Sequence, residues 1–287
     1  YLVVAATICG AMFGDNLSVI SDTTIAATRT QGVEMKDKFR ANFSIAFPPA
    51  IITIVVLLIW GRPEVVPEAA EYSFNFVKVL PYLFVLVASL VGLNVFLVLT
   101  GGIVFSGIIG IVFGSFSVLE FAGHVYTGFT GMFEIFLLSM LMGGLATMVQ
   151  EEGGIEWVLL KVKKVIKNKN TAELGIAAMV SLADVATANN TVSILITGNV
   201  AKEISDEYGV EPRRTASLLD LFACVFQGVL PYSAQILFAC ALLTDLNSPF
   251  QVISLCWYQL IVAVIAVISI FTAGKIKKSE TQTGQGL

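Results

Sequence analysis

Long uncharged runs of apolar residues dominate the chain and alternate with short polar segments. Residues 79–119 carry no charge over 41 positions, residues 221–244 none over 24 and residues 246–274 none over 29, and residues 42–60 form a further apolar run. A helix of about 20 apolar residues crosses the hydrocarbon core of a membrane. The runs lack a strict two-residue alternation, which disfavours a membrane β-barrel. The pattern therefore predicts the all-α fold class and a polytopic membrane protein with roughly seven to nine membrane helices.

The charged residues between these runs predict on which side of the membrane the polar segments lie. The stretch 29–40 is rich in Lys and Arg, which predicts a cytoplasmic loop before the first span. The run 79–119 is best divided near residues 92–94 into two short helices, and 131–149 crosses back inward. Residues 156–169 contain five lysines with apolar residues at helical spacing. This pattern predicts a cytoplasmic helix that lies either in the membrane interface or packed on the protein.

Two other apolar segments, residues 1–28 and 173–202, are interrupted by clusters of polar side chains. One smooth lipid-facing helix does not accommodate so many polar groups, because nothing in the hydrocarbon satisfies them. Each segment therefore predicts a helix that is broken or folded into a hairpin.

The two interrupted segments belong to an apparent internal repeat. Each is followed by the same tripeptide and a basic residue, Gly32-Val33-Glu34 in the first case and Gly209-Val210-Glu211 in the second. We predict a first-repeat part at 1–130, a second-repeat part at 131–274 and a disordered tail at 275–287. Whether the repeats are parallel or inverted stays open. Corresponding interrupted segments in two halves indicate the binding site of a transporter.

Composition excludes several classes of protein. Hydrophobic residues make up 56% of the 287 positions and charged residues only 13%, against about a quarter in soluble domains. The net charge of −4 and the confinement of basic residues to loops give no support for a nucleic-acid partner. One histidine and no nucleophile, phosphate-loop or zinc pattern predict that the chain is not an enzyme and uses no cofactor. Since the first residue is Tyr1 rather than Met, we expect an incomplete chain.

The first interrupted segment contains candidate ion ligands. Asp15 and Asp22 lie at membrane depth, where a charge costs about 2.5–3.5 kcal/mol. Amide and hydroxyl side chains surround them at Asn16, Ser18, Ser21, Thr23 and Thr24. These hard oxygens suit Na+, and a helix break frees main-chain carbonyls as well. Burial favours the protonated form of a carboxyl group and a bound cation favours its ionised form, so one aspartate can hold either ion. The alternative is hydrogen bonding between helices.

The second interrupted segment adds uncharged candidates at Asn189, Asn190, Thr191 and Ser193, for which ligand and packing roles are both open. We predict a Na+ site formed by Asp15, Asn16, Asp22 and Asn190. Asp184 and Asp220 are candidates for a proton relay. Asp220 is also expected to start a helix, where its charge would favour the helix dipole instead.

Residues 14–24, with the sequence Gly-Asp-Asn-Leu-Ser-Val-Ile-Ser-Asp-Thr-Thr, resemble the signature of the NhaC-type Na+/H+ antiporter family. The resemblance extends through residues 189–198 and 230–233. It implies a multi-pass secondary carrier of the bacterial inner membrane that expels Na+ in exchange for H+. Similar sequences also carry organic acids of the malate or lactate type, or amino acids, so that cargo is the alternative. The implied partners are the lipid bilayer and the two ions, and a homo-oligomer is compatible with the resemblance. A channel fits less well, because paired interruptions favour alternating access.

Overall fold

The computed structural model describes residues 1–18, 21–62, 75–91, 93–241, 243 and 248–283. All regular structure within these residues is helical, with no strand among them, which confirms the all-α prediction. The helices are α1 (Leu2–Leu17), α2 (Asp22–Gln31), α3 (Met35–Trp60), α4 (Leu80–Leu90), α5 (Val95–Val112), α6 (Val118–Gly131), α7 (Phe133–Glu151), α8 (Gly154–Lys163), α9 (Lys169–Thr187), α10 (Asn190–Tyr208), α11 (Pro212–Gln227), α12 (Ala234–Ala241), α13 (Phe250–Ile253) and α14 (Trp257–Thr283). A short 3-10 helix, Phe76–Val79, precedes α4.

The chain divides into two compact units. The larger consists of Tyr1–Arg62 with Leu138–Leu287, and the smaller of Pro63–Leu137. In the larger unit α11 is the central helix, because it packs against α1, α2, α3, α9, α10 and α14. Its side chains are buried on every face from Thr215 to Cys224, as expected of a helix enclosed by other helices. In the smaller unit α4 packs against α5, and α5 contacts α6.

Both segments with clustered polar residues are interrupted helices. The first interruption separates α1 from α2, where the Ser18 backbone is extended and the Ser21 side chain accepts a hydrogen bond from the N–H of Thr24. The second separates α9 from α10. There Ala188 adopts a left-handed φ of 51°, which is uncommon for a residue other than glycine, and Asn189 caps α10. The interruptions therefore occur where the polar clusters predict them, because these side chains satisfy the free main-chain groups at helix ends.

Two equivalent glycine turns follow the interrupted segments. Gly32 ends α2 with a φ of 69°, and Gly209 ends α10 with a φ of 66°. Glycine adopts this left-handed conformation without the steric cost that a Cβ atom brings. In each turn a valine and then a glutamate follow, and that glutamate, Glu34 or Glu211, occupies the N-cap position of the next helix. The matched tripeptides thus form matched turns, while the division into parts 1–130 and 131–274 stays a prediction.

Two expectations from the sequence are wrong at the ends of helices. The stretch 29–40 is not one loop, because α2 continues to Gln31 and α3 begins at Met35. Asp220 does not start a helix, since α11 begins two turns earlier, at Pro212. Its charge is therefore too far from the first turn of α11 to act on the dipole there.

Two segments in the described part of the chain are long and apolar enough to cross a membrane. They are Leu2–Gln31, which runs through the first interruption, and Met35–Trp60. Shorter apolar helices occur at Phe76–Ala88, Phe96–Val112 and Trp257–Thr272. The predicted number of seven to nine membrane helices stays a prediction. Helix α14 continues to Thr283, residues 284–287 lie outside the described residues, and the disorder predicted for 275–287 is likewise untested.

Candidate functional site

The first interruption is held in shape by its own polar side chains. The N–H of Ser21 donates to Ser18 Oγ at 2.8 Å, and Thr24 Oγ1 donates to the main-chain oxygen of Ser18 at 3.0 Å. Ser21 Oγ in turn lies 3.1 Å from Thr23 Oγ1 and 3.0 Å from Thr24 Oγ1. Short hydroxyl side chains are suited to such local bonds with a chain that leaves the helical conformation. Much of the hydroxyl cluster therefore supports the interruption itself.

Lys38 of α3 points its ammonium group into this interruption. Its side chain has no exposed surface, although the sequence placed it in a solvated loop. The Nζ atom donates to Thr24 Oγ1 at 2.7 Å and to the main-chain oxygens of Asn16 at 3.1 Å and Asp15 at 3.5 Å. Asp220 Oδ2 lies 2.8 Å away. A buried ammonium group persists only when paired with an anion and fully hydrogen-bonded, and Lys38 meets both conditions.

Asp220 provides the anion from the centre of the larger unit. Its Oδ2 atom also accepts a hydrogen bond from Asn42 Nδ2 at 2.7 Å, and Thr23 faces the same carboxylate. Asn42 Nδ2 donates as well to the main-chain oxygen of Asn16 at 2.8 Å. Helices α1, α3 and α11 are thereby joined at one point, where a carboxylate, an ammonium group and two freed carbonyl groups meet.

The remaining residues of the first cluster lie on different sides of this point. The side chain of Asn16 is buried and donates from Nδ2 to the hydroxyl oxygen of Tyr258 at 2.9 Å. Asp15 is half-buried and close enough to Asp220 and Asp22 for their charges to act on its carboxyl group. Three acidic side chains and Lys38 thus share one region.

Asp22 connects the two interruptions. Its side chain is exposed, and its Oδ2 atom accepts a hydrogen bond from Thr191 Oγ1 at 2.7 Å. Because Asp22 is the first residue of α2 and Thr191 the second of α10, the starts of both helices lie side by side. Nearby, Gln31 Nε2 of α2 donates to the main-chain oxygen of Gly198 at 2.9 Å. The tertiary structure thus brings together two clusters that are about 170 residues apart in the sequence.

The other polar residues at the second interruption make local hydrogen bonds. Asn189 Oδ1 accepts from the N–H of Val192 at 3.0 Å, and Asn190 Oδ1 accepts from the N–H of Thr191 at 2.9 Å. Ser193 Oγ donates to the main-chain oxygen of Asn190 at 2.7 Å. These contacts are those of a helix start, where free N–H groups need acceptors. The side chains of Asn189, Asn190 and Ser193 therefore stabilise the start of α10.

Asp184 forms a separate buried acidic group on α9. It has no exposed surface, and neither carboxylate oxygen has a hydrogen-bond partner among the described residues. The Oε1 atom of Gln227 is also buried without a donor in the part of the chain that the structure describes. An unpartnered buried carboxyl group is costly when ionised. Asp184 is therefore better suited to holding a proton than a lasting charge.

Sequence reasoning named Asp220 but missed its partners Lys38 and Asn42. A signal was present, because Lys38, Asn42, Ala46 and Ala50 recur every four residues in α3 and form its buried face. The residues described hold no group of three or more His, Cys, Asp or Glu side chains placed to bind a metal ion. A cation at this site would depend on main-chain, amide and hydroxyl oxygens beside a single carboxylate, a donor set that suits Na+.

Comparisons with known proteins indicate the family to which the chain belongs. The profile of the Na+/H+ antiporter family matches residues 63–274. An uncharacterised Na+/H+ antiporter of Haemophilus influenzae is 24% identical over 95% of this chain and 66% of its own length. The Na+/H+ antiporter NhaC of Bacillus subtilis is 24% identical over 80% of this chain and 58% of its own length. A malate-2H+/Na+-lactate antiporter of the same organism is 19% identical over 98% of this chain and 66% of its own length.

The chain thus spans 58–66% of the length of these curated relatives. No solved structure matches it. The family match covers most of the chain, and with it the resemblance to NhaC-type proteins is confirmed. The members of this family are multi-pass membrane proteins, and they are transporters rather than enzymes. The chain belongs to the Na+/H+ antiporter family.

Proposed function

We propose that this protein exchanges Na+ for H+ across the bacterial inner membrane by alternating access. The observation that carries the proposal is the meeting of a freed helix end, at Asp15 and Asn16, with the buried carboxylate of Asp220. Unwound main-chain carbonyls at membrane depth coordinate Na+ in secondary transporters. Membership of the Na+/H+ antiporter family supports the same two ions as cargo.

Exchange requires a site that binds either of the two ions. A carboxylate that can hold either H+ or Na+ makes the two ions compete for one site. If the site is open to only one side of the membrane at a time, the entry of H+ is coupled to the exit of Na+. The pair of interrupted helices, linked by the Asp22–Thr191 hydrogen bond, is the element whose rearrangement would change that access.

We assign the ion ligands to the first interruption and its neighbours. Asp15, Asn16, Asp22 and Asn190 are proposed to contribute to Na+ binding, with the hydroxyl groups of both interruptions in supporting roles. Asp184 and Asp220 are proposed to carry protons. The transport function needs no cofactor. Lipid is the surrounding partner, and assembly into a homo-oligomer is compatible with the proposal.

A second candidate function is sodium- or proton-coupled carriage of a small organic acid or amino acid. The similarity to the malate-2H+/Na+-lactate antiporter, which covers almost the whole chain, is the observation that favours it. The same oxygen cluster would then bind the coupling ion, and the organic anion would bind elsewhere. Two relatives named as Na+/H+ antiporters make ion exchange the first choice.

Proteoliposomes that contain a pH-sensitive dye would test the proposal. We expect a Na+ gradient to move protons in the wild type, and we expect Asp220→Asn and Asp22→Asn to abolish this movement. Asp206→Asn is the matched control, because Asp206 is an exposed acid on α10 away from the interruptions. Proton movement that survives in both site variants would refute the site. Sodium-dependent uptake of labelled malate or lactate without proton exchange would establish the second function instead.

A further inference from the structure

The four oxygens around the Lys38 ammonium form the best-defined cation site in the described residues. Two are main-chain carbonyls from the end of α1, one is the hydroxyl oxygen of Thr24, and one is a carboxylate oxygen of Asp220. Carbonyl, hydroxyl and carboxylate oxygens are also the ligands that hard cations prefer. In this structure the Lys38 ammonium group is the cation that these four oxygens surround.

We propose that these four oxygens are the Na+ cage and that Lys38 is a tethered competitor, which must withdraw before Na+ binds. The inference rests on the proposed function, since it takes Na+ as the cargo of the same site. Within the ligand set proposed above, Asp15 and Asn16 contribute main-chain oxygens to the cage, whereas Asp22 and Asn190 act from outside it, through the helix starts that they stabilise. Thr24 Oγ1 and Asp220 Oδ2 complete the cage.

The chemistry of the cage supports competition rather than simultaneous binding. Ammonium and Na+ both carry one positive charge, and a single carboxylate oxygen, Asp220 Oδ2, lies among the four oxygens. Placing both cations there would bring two like charges within a few ångströms in a buried site, where their repulsion is poorly screened. One cation at a time is therefore the stable arrangement.

Two buried oxygen atoms without donors also support competition between Lys38 and Na+. Asn16 Oδ1 and Asn42 Oδ1 are buried, and neither has a hydrogen-bond partner among the described residues. Asn42 already donates through Nδ2 to the main-chain oxygen of Asn16 and to Asp220 Oδ2, and Asn16 donates through Nδ2 to the hydroxyl oxygen of Tyr258. Buried acceptors without donors are uncommon in folded proteins. An ammonium group cannot use them all, because its three N–H groups are engaged, whereas a metal cation accepts additional oxygen ligands.

Lys38 is suited to leaving and returning. Its ammonium group sits on a flexible four-carbon chain, so that it can withdraw while the backbone of α3 stays in place. The cage in turn is attached to the end of α1 and the start of α2, the segments that form the interruption. Displacement of Lys38 by Na+ would therefore change contacts between α3 and both halves of the broken helix.

Binding of radioactive 22Na+ to the full purified chain would test this directly. Lys38→Met removes the competing charge and keeps a side chain of similar length, and Lys36→Met is the control because Lys36 pairs with Glu34 on the surface. If Lys38 fills the cage in nine of ten molecules, its removal strengthens apparent Na+ binding about tenfold. Lys38→Arg is expected to weaken it, and Lys36→Met to leave it unchanged.

A second arm tests occupation of the cage by an amine. Lys38→Ala lacks three methylene groups and the ammonium group, and n-propylammonium supplies the same atoms. We expect n-propylammonium to displace 22Na+ from Lys38→Ala and not from Lys36→Met. If Lys38→Met does not fold, Lys38→Gln replaces it with the same expected direction, because its amide can still donate to Asp220.

The outcomes separate this inference from the proposed function. Equal Na+ affinity in wild type and Lys38→Met, or loss of Na+ binding in a folded Lys38→Met, would overturn the competitor role while exchange by the wild type stands. Tight binding in Lys38→Met by a protein whose wild type moves no protons would support the cage and refute exchange. Absence of binding in every variant would overturn both.

Discussion

Close packing of α2 against α10 holds the two interruptions together, and Gly198 permits that packing. A Cβ atom at Gly198 would lie 2.6 Å from both Cβ and Cγ2 of Thr30 and 2.8 Å from its Oγ1. Ordinary contacts begin at 3.4 Å, so the shortfall is about 0.8 Å. Since the Cβ of Thr30 is fixed to the backbone, a change of rotamer cannot relieve the overlap. We therefore expect Gly198→Ala to force α2 and α10 apart.

The expected cost is that of an overpacked core, about 1–3 kcal/mol. Replacing glycine by alanine inside a helix also gains about 1 kcal/mol of helix propensity. Gly10→Ala isolates the clash, because Gly10 lies inside α1 with no described atom within 4 Å of its added Cβ. The difference between the two variants then reports the packing contribution alone.

Thermal unfolding of both variants in detergent is the measurement. At roughly 2–4 °C per kcal/mol for a chain of this size, Gly198→Ala should melt several degrees below Gly10→Ala. We also expect weaker Na+-driven proton movement in Gly198→Ala, because separation of the helices stretches the 2.7 Å Asp22–Thr191 hydrogen bond. Melting temperatures within about 1 °C of each other, with exchange retained, would show that the helices do not approach as closely as described.

Three further predictions concern buried charges in the larger unit. Asp220→Asn leaves the Lys38 ammonium without its anion, and we expect a loss of about 3–5 kcal/mol in denaturant unfolding; a variant as stable as wild type would mean that Lys38 is not buried there. Asp184→Asn removes a carboxyl group without a described partner, so its melting temperature should stay equal or rise, whereas a large fall would reveal a partner. Arg214→Met removes an ion pair of 2.8 Å with Glu173, and reduced resistance to proteolysis at the α9–α11 contact is expected, which unchanged digestion would contradict.

The interruptions of the two helices follow from local chemistry, which is why the sequence predicts them. Ser, Thr and Asn compete with the helical backbone for hydrogen bonds and favour the caps of helices. They are concentrated at 16–24 and 189–193, and the helices end and restart there. The turns at Gly32 and Gly209 are also predictable, because each depends on the left-handed backbone conformation of a single glycine.

The candidate site is less predictable, because it depends on residues that are far apart in the chain. Lys36 and Lys38 both look like solvated cations of a basic segment, yet Lys36 is exposed and Lys38 has no exposed surface. The orientation of α3 about its own axis decides which of the two lysines faces the core. The position of Asp220 on α11 then decides whether the buried lysine has a partner, and periodicity in either helix alone does not contain that information.

The helical class, the membrane character and the two broken segments were predictable from the sequence, because hydrophobic run length and the capping of helix ends are local properties. Helix packing was needed to reveal that Asp22 contacts Thr191, that Asp184 lies without a described partner and that Lys38 pairs with Asp220. The physical reason is that a buried charge is tolerated only beside a partner from another segment, and packing chooses that partner.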